Sequence, residues 1–235
     1  MLQTERIDDN EEALRVALEG FAFGLWTAMV GIVSQVNANG TVSVEPAIQA
    51  NVSDSKGVVT QQNIALLVDV PVVYMGGGNM VATFPIAIGD EALVVFASRC
   101  IDAWFQSGGV QPQAEPRHHS MSDSFALVGP RSLARKLANV STTTAQFRTV
   151  DGATYVEVAG SNIVNIVASG GVNITGPLNV NGAVSITGNA AITGDITGTG
   201  KVTAQGEVTG NNIPLSQHLH TGVQSGGSNT GTPIP

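Results

Sequence analysis

His218 and His220 are the residues of this chain with the clearest capacity for chemistry. They stand two apart in SQHLHTGVQSGGSNTG and are half of the four histidines in 235 residues. Imidazole nitrogen is a ligand for Fe, Ni, Cu and Zn. One chain supplies only two such ligands here, too few to enclose a metal ion. The pair does chemistry only if something multiplies it. Other reactive residues offer less. Cys100 is the only cysteine, which excludes an intrachain disulfide and a multi-cysteine zinc site, and it reads as a small buried hydrophobe. His118 and His119, in PRHHSMSD, have no neighbouring ligands and read as structural or surface residues. Ser120 beside His119 lacks triad partners. MGGGNM (75–80) has the glycines of a phosphate loop but no Lys-Ser/Thr after them and no strand-to-helix setting. With no catalytic constellation, the chain reads as non-enzymatic.

The element that must position the two histidines lies just before them. Glycines stand at 170, 176, 182, 188, 194, 200 and 206, an unbroken spacing of six. Between them fall Val172 and Ile174, Leu178 and Val180, Val184 and Ile186, then Ile192, Ile196, Val202 and Val208. All of these positions are even-numbered. Over 173–209 the odd positions are polar except for Pro177, Ala183 and Ala191. Alternate side chains of an extended chain point to opposite faces. One face is therefore glycine plus aliphatic, and the other is hydroxyl, amide or charge.

A glycine at each sixth residue fits short strands turning at regular corners, where φ > 0 is needed. One copy would carry a thin apolar stripe and open strand edges, and such edges must be paired or covered. Three copies wound around one axis would bury the even face and pair the edges. The pattern predicts a trimeric intertwined β-helix over 151–211 with the ten aliphatic residues as its inward core. A single-chain left-handed hexapeptide β-helix also has period six. It sets a bulky aliphatic where this chain has glycine, and the repeat is long enough for only a few of its turns. Counting on in even steps through Gly210, Asn212, Pro214 and Ser216 reaches His218 and His220, which places both inward if extended chain continues. Threefold symmetry would then gather six imidazoles. Six-coordination favours Fe(II), Co(II) or Ni(II) over tetrahedral Zn, and a closed shell leaves no vacancy for substrate. The expected role is structural, pinning three chain ends.

Composition agrees with a protein whose surface is polar without being charged. Charged residues are 12% of the chain, about half the usual share. The net charge of −8 argues against nucleic-acid partners, which require basic patches. The acidic start MLQTERIDDNEEALRVALEG does not resemble a secretory signal. FAFGLWTAMVGIV (21–33) falls short of the ~20 residues that cross a bilayer as a helix. Residues 8–24 read as an amphipathic packing helix, with Leu14, Ala17, Leu18 and Phe21 on one face. From 27 to 128 several short strands suggest a small barrel or sandwich. Among them are a hairpin at Asn39-Gly40, and strands in IALLVDVPVVYM, MVATFPIAIGDEALVVFAS and IDAWFQSG. Residues 131–145 read as a short basic connector with helical character.

Several stretches carry a resemblance to a known family. FPIAIGDEALVVF (84–96), DAWFQSG (102–108), RHHSMSDSFALVG (117–129) and HLHTGVQSGGSNTGTPIP (218–235) resemble the central spike, or baseplate protein V-type membrane-piercing protein, of contractile-tailed bacteriophages. The resemblance implies a mainly β chain: an N-terminal helical arm (1–26), an OB-fold barrel (27–130), a connector (131–150), a triple-stranded β-helix (151–211) and a spike tip (212–235). It implies a homotrimer whose barrels attach to baseplate hub or tail-tube proteins. It also implies one iron ion per trimer, held by His218 and His220 of each chain. Such a spike sits at the tip of the virion's tail baseplate, is assembled in the host cytoplasm, and is driven through the host outer membrane when the sheath contracts. Two other roles fit parts of the pattern: a receptor-binding tail fibre or adhesin, and the equivalent spike of a bacteriocin-like or secretion-system particle. Fibres of the first kind carry an aromatic head, and no Phe, Tyr or Trp follows Tyr155.

Overall fold

The computed structural model describes residues 10–218, Gly222 and Gly226. It divides the chain into two compact units, Met1–Val172 and Asn173–Pro235. His220 lies outside the described residues.

The first unit opens with helix α1 (Asn10–Phe23). Glu11 and Glu12 sit in its first turn, where the helix dipole favours negative charge. Arg15 pairs with Glu12 and Glu19 along one side. Leu14, Leu18 and Phe21 share another face at helical spacing and stay exposed. The expected packing helix is thus formed, but its apolar face is not buried against its own chain. No helix among the described residues is long and apolar enough to cross a membrane.

Strands follow in order: β1 (Ala28–Val36), β2 (Thr41–Pro46), β3 (Gln49–Ser53), β4 (Val59–Asn63), β5 (Leu67–Pro71), β6 (Met75–Gly77), β7 (Met80–Ala82), β8 (Glu91–Phe96) and β9 (Ser124–Val128). Asn39-Gly40 makes the expected β1–β2 turn, with Gly40 at φ +83°. Five strands form one sheet in the order β5-β2-β1-β8-β9. Irregularities between Val33 and Gln35, and between Val42 and Val44, interrupt its register. Bulges of this kind bend and twist a sheet. This one curls until its edges meet: Val72 bridges Ala126 in parallel, and the Val73 N–H donates to the Ala126 carbonyl at 2.9 Å. Val33, Val42, Val44, Val70, Val94 and Phe96 fill the interior, and Trp26 meets Phe96 edge-on at 6.1 Å. β3–β4 and β6–β7 are separate hairpins.

IDAWFQSG is not a strand. Asp102–Ser107 form helix α2 instead. Its Ile, Trp and Phe signal β propensity, but tertiary contacts decide the matter. Trp104 packs edge-on to Phe125 of β9 at 5.6 Å. The connector contains only a single 3-10 turn, Leu133–Arg135. A three-stranded antiparallel meander then runs through β10 (Thr144–Arg148), β11 (Tyr155–Ala159) and β12 (Ile163–Val167), across the 150/151 boundary expected from sequence. In the second unit the described residues hold one short hairpin, β13 (Thr209–Gly210) with β14 (Ile213–Pro214).

Candidate functional site

The six-residue glycine repeat is visible in the backbone of the second unit. The chain bends at Gly176, Gly182, Gly188, Gly194, Gly200 and Gly206. At the first four of these φ is +124°, +150°, +134° and +140°, a region that penalises any side chain. Gly200 and Gly206 bend without positive φ, and near Gly170 the positive φ falls on Gly171. Between the bends the chain is unpaired: no strand forms from 168 to 208. Strands need hydrogen-bonded neighbours, and a single copy supplies none here. The ten aliphatic residues from Val172 to Val208 lie 48–87% exposed. An aliphatic stripe of this length left in water is the mark of a surface awaiting a partner.

The path to the histidines differs from the even-step count. Asn211 and Asn212 carry φ +47° and +61°, and the chain reverses through them between β13 and β14. Asn accepts this left-handed conformation more readily than other side-chain-bearing residues. Side-chain parity is therefore interrupted before His218. The hairpin is held by Glu207, whose carboxylate accepts the Ser216 N–H at 3.1 Å and the Ser216 hydroxyl. These bonds hold its pKa below the usual carboxylate range. The Leu215 N–H donates to the Val208 carbonyl at 2.8 Å. His218 Nδ1 lies 2.6 Å from the Leu215 carbonyl, an acceptor, so Nδ1 carries the proton. Metal-ligating histidines commonly donate one ring N–H to a backbone carbonyl in this way.

Two family comparisons bear on these regions. Residues 29–129 match the phage protein Gp138 N-terminal domain. Residues 213–233, which include His218 and His220, match the GpV apex motif. Together the two matches indicate a phage central-spike family. They support a phage tail spike or baseplate protein, and hence a component of the virion. No curated protein matches the chain at a significant level.

Within the segment matched to the Gp138 N-terminal domain lies a charged cluster with no motif signature. Asp123 is fully buried. Arg117 donates from Nε to its Oδ2 at 3.0 Å and from Nη2 to its Oδ1 at 3.1 Å. The same Nη2 reaches Asp102 Oδ2 at 2.7 Å and Cys100 Sγ at 3.2 Å, and Nη1 reaches Glu115 Oε2 at 2.7 Å. The Ile101 N–H, just before α2, also donates to Asp123 at 2.9 Å. Burial pushes the Asp123 carboxyl up, but the Arg117 guanidinium, the Ile101 N–H and the Cys100 thiol outweigh it and hold the pKa low. Arg117 is pushed further up by Asp123 and Asp102. The ligand atoms of Cys100, Asp102 and Asp123 lie within 4.8 Å of one another, as a cation site would require. The guanidinium touches all three and fills that place. This is a structural knot tying α2 and the 117–123 loop to the barrel. Cys100 is thus half-buried and hydrogen-bonded rather than a plain buried hydrophobe. His118 meets Arg99 at 2.7 Å and His119 meets the Trp26 carbonyl at 3.1 Å, both consistent with structural roles.

Proposed function

We propose that this chain is the central spike of a contractile phage tail, working as a homotrimer that pierces the host outer membrane when the sheath contracts. The observation that carries the reading is the period-six bend with its uncovered aliphatic stripe. Two more copies around a common axis would cover Val172–Val208, and would supply the strand partners that 168–208 lacks. Chains wound together this way cannot separate without unwinding, which suits an object loaded along its axis. The outward Thr/Asn face offers little for lipid or sugar to hold.

The barrel would be the attachment end. Its third and fifth core strands, β5 and β9, meet in parallel, and the closed order fits an OB-type Greek-key barrel. Baseplate hub or tail-tube proteins are its expected partners. At the other end His218 and His220 of each copy would hold one iron ion. The fit rests on His218, whose Nδ1–H donates to a backbone carbonyl as a ligand's second ring nitrogen should. Bound there, the ion would cross-link three chain ends and leave no position for substrate. The reading assigns the protein no catalysis, and places it at the tip of the tail baseplate after assembly in the host cytoplasm.

Elemental analysis of the purified protein tests this. One iron for every three chains is expected. An absence of bound metal, or one ion per chain, would overturn the tip assignment.

A further inference from the structure

Helix α1 stands clear of the barrel that carries it. Its root is fixed. Trp26 packs against Phe96 at 6.1 Å, the Trp26 carbonyl meets His119 at 3.1 Å, and the Phe96 N–H donates to the Thr27 carbonyl at 2.9 Å. Before that root every residue from Glu11 to Leu25 is exposed. Leu14, Leu18 and Phe21 share one face at 61%, 59% and 69% exposure. At about 100° of rotation per residue, Ala13, Ala17 and Gly20 border this face on one side, and Glu11, Arg15 and Glu19 on the other. Small side chains on one border let a wall approach closely, and charged ones on the other can meet a rim. A helix of 14 residues is marginal in water by itself, so a cover over its apolar face is what would hold it.

The strand registers tell from which end of the barrel this arm leaves. Strand β8 runs from Glu91 to Phe96, and α1 feeds in beside Phe96 through Thr27. The connector departs beside Glu91. There the Gly129 N–H donates to the Glu91 carbonyl at 3.1 Å, the Ser132 N–H donates to the Glu91 carboxylate at 2.6 Å, and Arg135 donates to the Gly89 carbonyl. The arm and the chain that leads on to the repeat therefore join opposite ends of one strand. A second copy of α1 is a poor cover for the arm. Glu11 extends the Leu14–Leu18–Phe21 seam at coiled-coil spacing, so a parallel bundle would gather one carboxylate per chain on its axis. The one cation, Arg15, is already paired with Glu12 and Glu19 of its own helix. The helix is left acidic, with three carboxylates to one guanidinium.

We propose that α1 is a docking arm that lays Leu14, Leu18 and Phe21 into an apolar groove, rimmed by Lys or Arg, on the baseplate hub protein. The proposal rests on the reading of the barrel as the attachment end. It adds the element that makes the contact and the chemistry of the surface that receives it. An amphipathic helix entering a groove by anchors at i, i+4 and i+7 is a recurring mode of recognition. The acidic border of α1 selects a cationic rim, because opposite charges across an interface favour the right partner and like charges reject a wrong one.

The test titrates the purified hub protein of the same tail into three forms of the full chain: wild type, the double variant Leu14→Gln, Leu18→Gln, and Val16→Gln on the other side of the helix. Glutamine keeps helix propensity, so a loss of binding reports on the missing apolar anchors. Wild type and Val16→Gln are expected to bind alike. The double variant is expected to bind at least about thirtyfold more weakly, the loss that removing a hot-spot anchor produces. Wild-type affinity should fall as salt is raised, and the α1 amides should gain protection from hydrogen exchange when the hub protein is added. Equal binding by all three forms, with α1 amides still exchanging, would show the arm to be wrong while the attachment reading of the barrel stands. Binding that does not weaken with salt would overturn the cationic rim. A lower mass of the double variant alone in solution would mean that α1 covers a copy of itself, which also overturns the inference. If the wild type does not bind the hub protein, the attachment reading and the arm fall together.

Discussion

Gly31 in β1 gives the sharpest quantitative test of the barrel. It is buried, and a Cβ built there would stand 2.4 Å from Val44 Cγ1 and 3.0 Å from the Glu45 carbonyl oxygen. Carbon atoms in contact prefer about 3.5–4.0 Å, so Gly31→Ala demands more than an ångström of movement. Val44 is fully buried and β-branched, so its side chain has no free rotamer to take up. The second neighbour is backbone held in the β1–β2 ladder. Overpacking of this kind costs about 1–3 kcal/mol, and two rigid neighbours place this case near 3 kcal/mol. Val44→Ala removes two methyls, about 1.6 kcal/mol of transfer energy, plus a cavity term that brings it to about 2–3 kcal/mol. In the double variant the new methyl enters the space Val44 leaves. The pair should then cost about 2 kcal/mol less than the sum of the singles. Denaturant unfolding followed by tryptophan fluorescence, with all four proteins at one chain concentration, measures the cycle. Strict additivity, or a Gly31→Ala cost under about 0.5 kcal/mol, would refute the packing described here.

Arg117→Met should cost about 3–5 kcal/mol, because it strands the buried Asp123 carboxylate, whereas Asp102→Asn on the exposed arm should cost under about 1 kcal/mol; thermal melts compare them. The depressed Asp123 pKa implies stability that is fully present above the unfolded value of about 3.9 and lost as pH falls through the lower folded value. The stability gap between wild type and Asp123→Asn should therefore be constant from pH 7 to 5 and shrink below pH 4. Gly188→Ala, at φ +134°, should cost about 1–2 kcal/mol per chain, while Gly198→Ala, whose φ is not positive, should cost less than half of that in the same melts. The double variant His218→Ala, His220→Ala should lose its metal in elemental analysis while remaining a trimer in solution. Dissociation of that variant would show that the tip, and not the needle, holds the subunits together.

Local rules with a fixed period or a fixed turn chemistry are the parts legible in sequence. Asn39-Gly40 marks its hairpin because few other pairs accept the turn's backbone angles. The glycine bends at 176, 182, 188 and 194 are legible because their positive φ disfavours a side chain. The α1 helix is legible for the same kind of reason, though its expected burial is not found within the chain. What escapes is contact between distant residues. Nothing near Asp102 announces that α2 will replace a strand, since the deciding partners, Arg117 and Phe125, lie 15 and 23 residues on. The Arg117 knot draws on positions 100, 102, 115, 117 and 123, with no spacing to betray it. The even-step count toward His218 fails at Asn211-Asn212, where two asparagines take the left-handed angles that glycine takes elsewhere. The sequence carries only one trace of the knot, Arg117 and Asp123 at the two ends of RHHSMSD.

The central claim is the proposal that one chain is incomplete, its aliphatic stripe and its unpaired repeat being completed by two further copies. The mass of the untagged protein in solution, by sedimentation equilibrium, tests this most directly. The account predicts a single species at three times the 24.1 kDa chain mass, with no monomer down to low micromolar concentration. A well-folded monomer at 24.1 kDa under those conditions would contradict it.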